Sequence, residues 1–219
     1  WPDWPQDTTF TLETRGPGGS RPFIDGGTRV SISGRRDPNT GKPDRIVTAC
    51  ISRGVELWDF AGQRVAALPF SRDENSPAMP VLLWSPGGDF LVGVLPPSRE
   101  AASAGMVTVW SSENGKPLRR FRIDQPAAEY VSLIDGGKSL LVIGTAGNDA
   151  KQARAIPLDD PEHPTDPVTL GLKDLLGVRV LMDGRAIVFG ARYDDRGRPR
   201  AYSEIVSTGG GPELVLVKP

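Results

Sequence analysis

One histidine, His163, sits among the acids Asp159, Asp160, Glu162 and Asp166. Carboxylates beside an imidazole are metal-ligand chemistry. Here they alternate with Pro161 and Pro164, which is also the composition of a solvated loop, and no metal site is expected. The single cysteine, Cys50, excludes an intrachain disulfide and a cysteine-based zinc site. It lies in the alternating run IVTACIS and reads as a small buried filler. A serine or cysteine nucleophile needs a base and an orienting group within reach. With His163 alone in a proline-flanked loop, no such triad can be assembled. Asp135 and Asp183 stand beside glycines, where aspartate and glycine serve the geometry of a hairpin turn. The expectation is a chain with no catalytic residue, no metal and no cofactor.

Binding chemistry has better material. Trp58, Trp84 and Trp110 could stack on a ligand, but their place in alternating runs points to core packing. Trp1 and Trp4, in WPDWP, read as a linker or a docking strand. The loop from Arg192 to Arg200 is the best surface feature: its arginines could hold a carboxylate or a phosphate. Asp194 and Asp195 partly neutralise it, so a plain solvated loop is the competing reading. A net charge of −1 argues against a general binder of nucleic acid or anionic membrane, which needs a basic stripe. No run of about 18 apolar residues is present, so no membrane span is expected. The lack of disulfides fits the cytoplasm. The chain starts with Trp1 and shows no signal-peptide pattern, which suggests a fragment or a processed product.

The elements that would position these residues are short strands. The 219 residues include 26 glycines and 21 prolines, too many for a helical protein and suited to frequent turns. Helical spacing is nearly absent; the stretch 170–178 (LGLKDLLGV) is the only candidate for a helical turn, and it is too short to stand alone. Four units of four strands follow one another, at about 28–70, 79–123, 129–170 and 178–218, after an N-terminal segment 1–27 that holds TFTLET. Val30, Val81, Val131 and Val180 mark the first strand of each unit, about 50 residues apart, and Trp58, Trp110, Ile156 and Ile205 mark the third at a similar interval. Propeller blades repeat at about 40–45 residues. A competing register aligns Ile24-Asp25-Gly26-Gly27 with Ile134-Asp135-Gly136-Gly137 and makes 28–33 a second strand, at less even spacing.

The strings VELWDFAGQRVAALP and VTVWSSENGKPLRRF resemble the third-strand, turn and fourth-strand signature of WD40 repeats, and LWSPGGDFLVGV resembles their opening hairpin. The third and fourth units depart from it, with Pro157-Leu158-Asp159 and Ile205-Val206-Ser207 where Trp-Asp would stand. The family's Gly-His pair is absent, so its Asp-His-Ser-Trp hydrogen-bond network cannot be complete. The resemblance implies a divergent, bacterial WD40-like protein. Its fold would be all-β, a β-propeller of about four four-stranded antiparallel blades. Such a piece would be an arc of a larger propeller, its ends completed by the rest of the parent chain; a small closed ring with TFTLET as closing strand is the alternative.

In a propeller, second-to-third-strand loops and blade-to-blade loops share one rim. Here those are mostly the longer ones, and a rigid scaffold with variable loops on one rim binds there. The expected function is a non-catalytic scaffold that holds a protein or peptide partner at Arg72, Asp73, Glu74, Arg99, Glu100, Tyr193, Arg196, Arg198 and Arg200. The alternative is a propeller enzyme, or the propeller domain of a hydrolase, with convergent acids at the central channel.

Overall fold

The computed structural model of the chain describes residues 29–41, 44–50, 54–70, 80–95, 105–123, 128–146, 149–181, 183–208 and 213–217. The expected N-terminal segment 1–27, with TFTLET, lies outside them. The described residues form four four-stranded antiparallel sheets, each a meander in chain order. Blade 1 holds β1 (Arg29–Ile32), β2 (Arg45–Cys50), β3 (Gly54–Asp59) and β4 (Arg64–Leu68). Blade 2 holds β5 (Val81–Trp84), β6 (Phe90–Leu95), β7 (Gly105–Ser111) and β8 (Pro117–Ile123). Blade 3 holds β9 (Ala128–Ile134), β10 (Ser139–Thr145), β11 (Lys151–Pro157) and β12 (Val168–Thr169). Blade 4 holds β13 (Asp174–Val180), β14 (Ala186–Tyr193), β15 (Pro199–Ser207) and β16 (Val215–Val217). The innermost strands adjoin in series, β1 with β5, β5 with β9 and β9 with β13, so the blades form an open arc of a propeller.

The middle strands explain why alternation is weak in the sequence. A strand covered on both faces carries a continuous apolar run. In β10, Leu140 and Val142 pack toward blade 2, with Val92, Val109 and Ile156. Leu141 and Ile143, on the other face, pack toward blade 4 with Ala155, Val188 and Val206. A third layer joins blades 1 and 2 through Val47, Leu57, Leu68, Leu91 and Trp110. Burying each such side chain fully is worth about 1.5–3 kcal/mol. The Trp110 ring packs against Gly93, where a Cβ would come within 2.6 Å of the indole, so only glycine fits there. Both tryptophan-bearing third strands carry an irregularity at the same place, between Leu57 and Trp58 and between Val109 and Trp110.

The first-strand register is the one preferred from spacing, since 29–32 opens the first sheet. Two expectations are corrected. The stretch 170–178 is not helical: it buries Leu170 and Leu172 and then enters β13, which pairs along β14. A strand pairing and a free sheet edge outweigh one turn's worth of helical spacing. In blade 4 the third-strand marker is Val206, not Ile205. Val206 pairs with Ala186 and packs on blade 3, as Trp110 packs on blade 1 and Ile156 on blade 2. A shift of one residue reverses the face, so Ile205 points away from blade 3.

One feature recurs at every blade boundary. The first hairpins of blades 2, 3 and 4 each insert a left-handed glycine against the first hairpin of the blade before. A Cβ on Gly88 (φ 73°) would strike Ser33 and Arg35, one on Gly137 (φ 92°) would strike Pro86, and one on Gly184 (φ 83°) would strike Asp135. The outward face of blade 4 has no such cover among the described residues. Register places Ile187, Phe189, Ile205 and Val215 on that face, and Phe189 and Val215 are 38% and 43% exposed.

Candidate interaction rim

The two rims differ in what holds them. On the short-turn rim, neighbouring blades are tied together. Arg35 pairs with Asp44 at 3.2 Å and reaches Asp89 of blade 2 at 3.7 Å. Arg45 Nε donates to the Ser112 carbonyl at 3.2 Å, and the Asp135 N–H donates to the Gly184 carbonyl at 3.1 Å. Arg119 of blade 2 donates to the Asp159 carbonyl of blade 3. His163 is exposed there and bonded to Asp160 through Nδ1 at 2.9 Å. Asp160 holds the imidazole pKa above its usual value, mainly through that hydrogen bond. Among the described residues no group of three or more His, Cys, Asp or Glu is placed to hold a metal.

The long-loop rim carries the β14–β15 hairpin, and one carboxylate organises it. Asp194 Oδ1 accepts from the backbone N–H of Arg196 at 3.0 Å and of Arg198 at 2.9 Å. Asp194 Oδ2 accepts from Arg198 Nε at 3.0 Å and lies 3.5 Å from Arg200. These donors, the Arg198 N–H first, hold the Asp194 carboxyl below the usual range. Gly197 closes the turn at φ 71°. At the foot of the hairpin, Tyr193 donates its hydroxyl to Asp174 at 2.5 Å, and this bond raises the phenol pKa. Arg192 stacks over the Tyr202 ring at 5.6 Å.

Of the rim residues expected from sequence, Tyr193, Arg196, Arg198 and Arg200 are therefore brought into one hairpin. Arg198 and Arg200 are partly spent on Asp194. The Arg196 side chain has no ion pair or hydrogen bond among the described residues, and Tyr193 stays exposed. Arg72, Asp73, Glu74, Arg99 and Glu100 lie outside the described residues.

Sequence reasoning missed a second polar group on this rim. Lys151 Nζ lies 2.5 Å from Glu129 and 2.8 Å from Thr145 Oγ1, and Thr145 also bonds Glu129. The lysine side chain is only 12% exposed, so the acid offsets a costly burial. The three residues come from the ends of three strands, 22 positions apart at the widest. The only signal in the sequence was a lone acid and a lone base flanking apolar runs. Cys50, expected to be buried, is half-buried at the end of β2, where the sheet gives less cover.

Trp58, Trp84 and Trp110 pack in the core layers or against the sheet, not on a rim. Trp58 Nε1 donates to Thr48 Oγ1 at 3.0 Å, a bond between neighbouring strands with both residues buried. In blade 2 the matching strand position is Gly93, and the Trp110 indole N–H has no partner among the described residues.

Four meandering sheets, adjoining through their innermost strands, define a β-propeller arc. Known structures agree. The chain is similar to hydrazine synthase of Kuenenia stuttgartiensis, at a TM-score of 0.57 and 14% identity, over 84% of this chain and 52% of that one. It is similar also to the Dos1 propeller, at a TM-score of 0.57 and 12% identity, over 85% of this chain and 45% of that one. The chain thus spans about half the length of these structures. Identities this low establish the fold alone. No family model matches the chain, and no curated protein matches it. No helix among the described residues is long and apolar enough to cross a membrane.

Proposed function

We propose that this propeller arc is a non-catalytic, WD40-like scaffold that binds a protein or peptide on its long-loop rim. The observation that carries the reading is the contrast between rims. The short-turn rim spends its turns on blade-to-blade contacts through Gly88, Gly137 and Gly184. The other rim presents a hairpin with an exposed tyrosine and arginine on a base fixed by Asp194 and Asp174. Tyrosine and arginine are among the side chains most enriched where partners bind.

The WD40-like part of the reading is supported by the Trp58–Thr48 bond. It supplies the hydroxyl–tryptophan half of the family's network without the histidine. The non-catalytic part is supported by the inner strands. Their acids among the described residues are Glu129 and Asp174, and each already has a partner, Lys151 for the first and Tyr193 for the second. Fold likeness to hydrazine synthase carries no activity across.

A photo-crosslinking residue at position 196, against one at position 113 on the short-turn rim, tests the proposal in cells that make the protein. A discrete protein adduct formed only from position 196 is the expected result. Adducts from position 113 instead, or from neither, would overturn it.

A further inference from the structure

The outer strand of blade 2 differs from the other three. β8 is seven residues long, and among the described residues its outer side is a sheet edge, since it ends the order β5-β6-β7-β8. The outer strand of blade 1 has its one arginine, Arg64, paired with Glu56 at 3.2 Å. Those of blades 3 and 4 are β12, with two residues, and β16, with three. β8 reads PLRRFRI and contains no acid. Arg119 turns toward blade 3 and donates to Asp159. Arg120 and Arg122 are opposite Thr108 and Met106 in the register and so share the other face. Both are exposed. Neither has an ion pair or hydrogen bond among the described residues. Lys116 precedes them, and Leu118, the extra residue of a register irregularity, is 56% exposed.

Charged residues on an edge strand keep it from pairing with other copies. Arginine does this here with a directional consequence. A second copy would bring arginine against arginine. A strand with carboxylates at alternate positions would instead meet Arg120 and Arg122 at their own spacing, about 6.6 Å along the strand. Each guanidinium can take a carboxylate through two parallel hydrogen bonds, and the main-chain groups of the edge, unpaired among the described residues, supply the rest.

We propose that β8 is a docking edge for an acidic extended peptide segment, which adds to blade 2 as a fifth strand. The site is on the circumference of the propeller and is separate from the loop rim.

The test uses the 219-residue protein and a fluorescein-labelled peptide of alternating Glu and Val, about eight residues long to match the strand. Fluorescence anisotropy should show saturable binding that weakens with salt. The Lys–Val counterpart should not bind. Arg120→Glu with Arg122→Glu should weaken binding at least about tenfold, with an unchanged melting curve because both side chains are exposed. Arg196→Glu with Arg198→Glu should leave it unchanged. Arg120→Lys with Arg122→Lys should fall between, since it keeps the charge and loses the paired hydrogen bonds. Hydrogen exchange should slow at residues 117–123 when the peptide binds. No saturable binding, binding indifferent to reversal at 120 and 122, or binding without slowed exchange in β8 would each overturn the proposal.

Discussion

Gly184 sits on the backbone of Asp135. Its carbonyl accepts the Asp135 N–H at 3.1 Å, and a Cβ built on it would lie 2.9 Å from the Asp135 Cα. This is one tooth of a seam that repeats at Gly88 and Gly137, so the first hairpins of four blades interlock in order. At Gly184 the contact is with backbone, which cannot repack as a side chain can, whereas at Gly88 and Gly137 it is mainly with the side chains of Ser33, Arg35 and Pro86.

Gly184→Ala should destabilise the protein by about 2–3 kcal/mol, from a left-handed backbone and a clash with Asp135 together. Gly197→Ala is the control: its φ is 71° but nothing lies within 4 Å of the added methyl. It should cost about 1 kcal/mol, the conformational part alone. Urea unfolding of both variants measures the difference, and equal losses would remove the seam from the account.

Thr48→Val keeps the shape of the side chain and removes the acceptor of the Trp58 indole. Both residues are buried, so the orphaned N–H should cost about 1–3 kcal/mol. Thr108→Val in blade 2 is the comparison. That hydroxyl is buried without a partner among the described residues, and its removal should be close to neutral or stabilising by up to about 1 kcal/mol. Thermal melts of the two variants should move in different directions or by clearly different amounts.

The hairpin at 194–198 should loosen in acid. The folded Asp194 pKa is lowered, so its contribution is present above the unfolded value of about 3.9 and is lost as pH falls through the folded value. Amide NMR shifts of Arg196 and Arg198 report it directly, since both N–H groups donate to this carboxylate. Asp194→Asn should abolish the acid transition at these amides. A transition that persists would assign it elsewhere.

Tyr193 gives the opposite sign. Its phenol pKa is raised by the bond to Asp174, so the folded state favours the neutral form. That contribution is complete below the unfolded value of about 10 and disappears as pH rises through the folded one. In a tyrosinate absorbance titration, Asp174→Asn should lower the pKa of one of the three tyrosines. No change would mean that the hydroxyl bond does not hold in solution.

The outward face of blade 4 should behave as surface in the chain by itself. Phe189→Lys should reduce self-association in light scattering, since contiguous exposed apolar groups promote it. Val188→Lys, on the buried opposite face, should unfold the protein. Unchanged scattering for Phe189→Lys would mean that this face is not the associating one.

The strand order and the turns were legible from residues alone, for local reasons. The sequence places glycine at the tight turns 86–88, 135–137 and 183–184, and each is a turn in the fold. The expected strand SLLVIGT coincides with β10 because an apolar run between turns has nowhere else to be buried. What was not legible depends on neighbours. The stretch 170–178 carries helical spacing, but β14 offers it a full edge of hydrogen-bond partners, and it pairs. Ile205 and Val206 are both apolar, and only the pairing of Val206 with Ala186 decides which one faces blade 3. The rim hairpin was visible as a basic loop, yet the role of Asp194 as its organiser was not, because two arginines and two backbone N–H groups converge on it only once the turn closes. Glu129, Thr145 and Lys151 were beyond reach for the same reason: sequence spacing is a guide only to residues one turn or one strand apart, and these three meet through the ends of three strands. The sequence by itself thus determined the repeat, because each blade's strands and turns are local. The tertiary structure decided which faces meet, because that depends on a register that one residue can reverse.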